Sequence, residues 1–164
     1  MPVELPVPIA FRLPEGWLPA RPGSFDPGVA FAAVHPQPDA GFAANITVDG
    51  GFPAQTATLA ELADLSAQRL GVIAGSVVVA DRREAGSEDA PALTQRLTFT
   101  AVTGDTRREL VQSQVYLSLP DTRDPQKRAV VRLALTATTA QHDSVVGDFR
   151  DFVRSVRPDA GEEG

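Results

Sequence analysis

The sequence contains no cysteine. Disulfides, thiolate nucleophiles, cysteine-ligated zinc and a lipid-bearing N-terminal cysteine are all excluded by that one absence. Histidine is scarce, with His35 and His142 the only two, so a histidine-rich metal site is excluded as well. Basic residues are outnumbered: 15 Lys and Arg stand against 21 Asp and Glu, giving a net charge of −6. A surface of that sign opposes binding to nucleic acid, which needs cations to neutralise phosphates. It equally opposes attraction to anionic membranes. The opening segment "MPVELPVPIAF" lacks the basic start and long apolar run of a signal peptide. No stretch approaches the length needed to span a bilayer. The expectation is a cytoplasmic chain without membrane insertion.

What is present suits one globular domain. The chain has 164 residues, 43% of them hydrophobic, enough to bury a core and too many for a disordered chain. The expected domain covers residues 1–158, followed by a frayed acidic tail at 159–164, "DAGEEG".

Along the first third, short apolar alternations are punctuated by Pro and Gly. Ile9, Phe11 and Leu13 predict a half-buried strand that ends at the turn "PEGW". "GVAFAAV" (28–34) and "FAANITV" (42–48) predict two more strands, the latter with Ala44, Ile46 and Val48 on one face. The intervening "HPQPDAG" is a loop, since two prolines forbid regular structure. Thr58 and Glu61 form a T-x-x-E capping box at a helix start. Leu59, Leu62, Ala63, Leu65, Ser66 and Leu70 recur at helical spacing and Gly71 offers a stop, so a helix is expected over 59–70.

Longer strands follow. They are "GSVVVADRR", "ALTQRLTFTAV", "RRELVQSQVYLSL" and "KRAVVRLALTAT"; the short "TGDT" turn between the second and third implies an antiparallel hairpin. Near the C-terminus, Val145, Val146, Phe149, Phe152, Val153 and Val156 form one helical stripe, with Asp148, Arg150, Asp151 and Arg154 opposite. Asp143 or Ser144 can cap that helix and Pro158 marks its end. Its apolar stripe is expected to pack on the sheet. The order of elements predicts an α+β fold: a mainly antiparallel β-sheet of six or seven strands with two α-helices packed on it.

Side chains alternate between the faces of a strand. Grouping by composition gives one aliphatic face able to take the helices, with Leu93, Leu97, Val111, Val115, Val131 and Leu133. It gives a second, polar face carrying Arg96, Thr98, Gln112, Gln114, Tyr116, Arg132 and Thr136. A solvated face is common in antiparallel sheets. Tyr and Arg are also enriched at interfaces, so those seven residues are the candidate partner-binding surface.

No catalytic, cofactor or metal motif appears. His142 has Asp143 and Ser144 beside it, but chain neighbours at a helix start do not align as a triad, and a cap or exposed position is expected. His35 is expected at the surface. "VDGGF" lacks the Lys-Ser/Thr of a phosphate loop, and "DRREAGSED" lacks the spacing of a calcium loop. No G-x-S-x-G elbow occurs.

Three short segments, "FRLPEGW", "ANITV" and "FVRSVRP", make the stretch from Ile9 to Pro158 similar to the PsbP-like superfamily. That group includes the Ran-binding Mog protein and PsbP, and the likeness is strongest to the LpqN/LpqT-type and DcrB-like branches. The resemblance implies an antiparallel sheet sandwiched with helices, and a binding or chaperone-like role without catalysis. It supplies no shared catalytic residues, and Trp17 and Asn45 within its motifs read as structural. LpqN/LpqT-type proteins are typically exported lipoproteins, a feature this sequence does not match. The expected activity is a non-catalytic adaptor with a protein partner. A small-molecule binder or enzyme with a pocket between sheet and helix is the alternative, and a homodimeric building block a third.

Overall fold

The computed structural model describes residues 9–25, 28–53, 57–88, 90–103, 105–120 and 128–158. The acidic tail and most of the loop "PDTRDPQ" lie outside the described residues. Strand β1 (Ile9–Ala10) pairs with the last strand, β9 (Arg157–Pro158), clipping the two ends of the fold together. The other strands form one antiparallel sheet of seven: β2 (Leu18–Ala20), β3 (Phe31–Val34), β4 (Asn45–Gly51), β5 (Gly75–Gly86), β6 (Pro91–Thr103), β7 (Thr106–Pro120) and β8 (Arg128–Thr138). Their spatial order is β2-β3-β4-β8-β7-β6-β5. Helix α1 (Leu59–Ile73) links β4 to β5, and α2 (Thr139–Ser155) follows β8.

Local chemistry explains most boundaries. The Thr58–Glu61 capping box forms in both directions, at 2.8 and 3.1 Å. The helix does not stop at Gly71; it runs to Ile73, and the Ala74 N–H closes it onto the Leu70 carbonyl. Gly86 adopts a positive φ of 78° in the β5–β6 turn, where a Cβ would lie 2.3 Å from the Ala90 carbonyl oxygen. Only glycine fits there. The first strand is shorter than its alternation suggests, because Phe11 and Leu13 leave the ladder to pack on the core.

Helix α2 begins earlier than expected. Strand β8 turns straight into it at Thr138, whose Oγ1 accepts the Gln141 N–H at 3.2 Å. Asp143 and Ser144 therefore lie inside the helix, and the Ser144 hydroxyl donates back to the Gln141 carbonyl. Val145, Phe149 and Phe152 bury the stripe against Ile46, Val48, Val131, Leu133 and Leu135. Phe11 meets Phe152 edge-on with ring centroids 5.1 Å apart. Trp17 is buried in the same core and its indole N–H donates to Asp148 at 2.9 Å, so it anchors the N-terminal turn to α2.

The expectation of one aliphatic and one polar face is overturned by register. In the β6–β7 hairpin Leu93 pairs with Tyr116, Gln95 with Gln114 and Leu97 with Gln112. Directly opposed residues share a face. Leu93, Gln95, Leu97 and Phe99 thus join Gln112, Gln114, Tyr116, Arg132 and Thr136 on one face. Arg96 and Thr98 join Ser113, Val111 and the aliphatic residues of β8 on the other. Both faces are mixed, and each carries a helix: α2 on the Leu133 side, α1 on the Tyr116 side.

A groove beneath helix α1 as candidate functional site

Helix α1 sits on its face through small and polar side chains. Its buried positions are Ala63 and Ser66, while Leu59 and Leu62 pack on Leu93, Tyr116 and Val130. Leu65, expected in the buried stripe, is 47% exposed. The sheet beneath the helix presents glutamines and an arginine, which bond to Ala63 and Ser66.

These side chains form a continuous chain of hydrogen bonds. Arg132 on β8 pairs with Asp49 on the adjacent strand β4, its direct register partner. Its other terminal nitrogen donates to Ser66 Oγ on α1 at 2.8 Å, and Ser66 Oγ also accepts from Gln114 Nε2 at 2.9 Å. Gln114 Oε1 accepts from the Tyr116 hydroxyl at 3.0 Å and from Gln95 Nε2 at 2.6 Å. Gln95 further donates to the Ala63 carbonyl and accepts two bonds from Arg82, which pairs with Asp64 at 2.7 Å. Burial lowers the Arg132 pKa, but the Asp49 carboxylate and Tyr116 raise it by more, so the net shift is upward and the guanidinium stays charged. Its Nε is buried and has no hydrogen-bond partner among the described residues.

Beside this network a groove of about 740 Å³ opens between α1 and strands β4, β8, β7 and β6. Its floor carries the polar Thr47, Asp49, Gln112, Tyr116, Arg132 and Thr136 beside the apolar Phe99, Leu110 and Val130. One wall is α1, through Leu65, Ser66, Arg69, Leu70 and Ile73; the other includes Phe25, Val29, Phe42 and Phe52. Several wall side chains are large, apolar and open to solvent, among them Phe52, Leu65 and Ile73 (82% exposed). A groove of this size with an apolar wall and a few fixed polar groups is what a ligand site requires.

The sequence-derived surface is divided by the fold. Gln112, Tyr116, Arg132 and Thr136 line the groove, and Gln114, only 1% exposed, lies in the network under α1. Arg96 and Thr98 are on the opposite face of the sheet. Sequence reasoning missed Asp49, Arg69, Phe25, Phe52 and Ile73. Asp49 was detectable as the polar residue alternating with Ile46 and Val48; the others are brought in by loops and by the last turns of α1.

A second concavity of about 950 Å³ lies at the N-terminal end of α1, between Thr58, Leu59, Glu84, Gly86 and Arg128. The Arg128 Nε donates to Ser118 Oγ at 2.9 Å. On the other side of the sheet, His142 is 5% exposed rather than at the surface, because α2 starts at Thr139 and turns it onto β7. Its Nε2 lies 2.9 Å from Ser113 Oγ, while Nδ1 is 3.6 Å from Asp143 Oδ1, beyond a hydrogen bond. Burial lowers the His142 pKa, with Asp143 opposing and Arg96 and Arg150 adding to the drop. Asp143 is solvent-exposed, so the pair lacks the buried orienting carboxylate of a hydrolase triad. His35 stacks edge-on against Trp17 at 5.2 Å and is half-buried. Among the described residues no cluster of three or more metal-ligating side chains occurs. Nor is any helix long and apolar enough to cross a membrane.

No family model and no curated protein matches the sequence. Solved structures do match the fold. LpqN of Mycobacterium tuberculosis, involved in cell envelope biogenesis, superposes with a TM-score of 0.63 at 15% identity, covering 93% of this chain and 86% of LpqN. The cyanobacterial PsbP of Synechocystis gives 0.59 at 15%, covering 92% and 86%. The Saccharomyces cerevisiae Ran-binding protein Mog1p gives 0.58 at 13%, covering 92% and 89%. The agreement runs over nearly the whole length at identity this low, and this chain has the PsbP-like, Mog1-type fold.

Proposed function

We propose that this chain is a non-catalytic binding domain whose site is the groove beneath α1. The observation that carries this reading is the pairing of solvent-open apolar walls with a charged, hydrogen-bonded floor. Open apolar side chains such as Leu65 and Ile73 gain by being covered. Asp49 and Arg132 are committed to each other, so the floor supplies orientation and polarity rather than a base or nucleophile. An occupant with an apolar part and a polar end fits that arrangement.

A second reading is a protein-binding adaptor or chaperone-like domain, alone or as a homodimer. It is favoured by apolar exposure beyond the groove, at Val72, Val78 and Val79, where a small ligand does not reach. The Ran-binding description of Mog1p is consistent with it.

Native mass spectrometry of the tagged protein from its own cells tests both. A small bound mass lost in Leu65→Asp/Ile73→Asp, and kept in a Val102→Asp control outside the groove, is the expected result. A bound polypeptide lost in the same variant favours the adaptor. An occupant retained by the groove variant removes the groove as the site.

A further inference from the structure

Leu65, Arg69 and Ile73 are spaced by four residues and form one stripe along the groove-facing side of α1. Arg69 therefore stands between two apolar side chains at the groove wall. It is exposed and forms no ion pair among the described residues. The other charges lining the groove, Asp49 and Arg132, neutralise one another. Among the described residues the groove lining thus carries a net positive charge, within a chain of net charge −6.

We infer that the groove binds a single-chain amphipathic anion, with a carboxylate or phosphate head at Arg69 and its apolar chain along Phe25, Phe52, Leu65, Leu70 and Ile73. The inference rests on the groove being the binding site. A planar guanidinium presents paired donors that match either head group. The apolar chain removes exposed aliphatic and aromatic surface from water, the dominant favourable term in such binding. A volume of about 740 Å³ holds one chain of this kind. The overall negative charge disfavours the alternative source of the same chemistry, an anionic membrane surface.

The test uses the full chain, with dodecanoate, dodecyl phosphate and the uncharged glycerol ester of dodecanoate as probes. Calorimetry is run below their micelle-forming concentrations, with methyl NMR to locate the site. Both anions are expected to bind and to shift the Leu65, Leu70 and Ile73 methyls, and the neutral ester to bind more weakly. Arg69→Gln is expected to weaken the anions about fivefold, the scale of an exposed charge pair, and to leave the ester unchanged. A preference for one anion over the other identifies the head group. Equal binding of ester and anions, unaffected by Arg69→Gln, overturns the charge assignment while leaving the groove intact. No binding by any probe, with the three methyls unmoved, overturns the groove itself. Binding only to anionic phosphatidylglycerol vesicles replaces the free amphiphile with a membrane surface.

Discussion

Asp49 and Arg132 face each other across the β4–β8 ladder, and the same Arg132 reaches up to Ser66 on α1. One ion pair on the sheet therefore also fixes the helix that walls the groove. Its side chains are 20% and 29% exposed, so it is neither a surface pair nor a fully buried one. Removing one partner leaves a partly buried charge uncompensated.

Asp49→Asn is expected to destabilise the fold by about 1–3 kcal/mol, below the cost for a fully buried pair because water reaches both groups. Urea unfolding of Asp49→Asn, Arg132→Met and the double variant measures the coupling. If the single losses simply add, the two residues do not act as a pair.

Gln114 receives or donates bonds to Ser66, Gln95, Gln112 and Tyr116 while almost entirely buried. Gln114→Leu keeps the bulk but strands several of those partners, at a cost of roughly 2–4 kcal/mol. Hydrogen exchange should show α1 amides losing protection before those of α2. Unchanged protection in α1 would separate the network from helix docking.

Phe152 is fully buried between Phe11 and the sheet. Phe152→Ala is expected to cost about 3–5 kcal/mol in chemical unfolding. Val102→Ala, at a position 70% exposed, should change stability by less than about 0.5 kcal/mol. Comparable losses at the two sites would contradict the placement of α2.

His142 gives a pH dependence with a definite sign. Burial holds its folded pKa below the ordinary histidine value of 6.5, so the unfolded chain takes up the proton first. Its contribution is complete above 6.5 and is lost as pH falls from there through the folded value. Thermal melts of the wild type should therefore fall across that window, and His142→Gln should remove part of the slope. Parallel slopes in the two proteins would rule out this contribution.

Much of the architecture was legible in the chain. The Thr58–Glu61 box, the Val145–Phe149–Phe152 stripe and the long β-branched alternations are local patterns. They act through hydrogen bonds and side-chain spacing within a few residues, so they survive being read without the fold. The pairing of faces was also legible in principle. The "TGDT" turn joins Thr103 to Thr106, and that short loop sets every odd-numbered residue of β6 against an even-numbered residue of β7. Grouping residues by composition instead placed Arg96 with Tyr116, on opposite sides of the sheet.

The sequence by itself determined the elements, the α+β class and the apolar stripe of α2, because backbone geometry imposes those periods locally. Only the tertiary structure decided that α1 lies on the glutamine–arginine face, so that Gln114 and Tyr116 are almost wholly buried beside it. Only it brought Asp49 to Arg132 and Arg69 to the wall opposite Phe25 and Phe52. These residues come from separate strands, a helix and loops. Their meeting depends on strand order and helix docking, and on a polar network whose bonds form only once all of its members are in place.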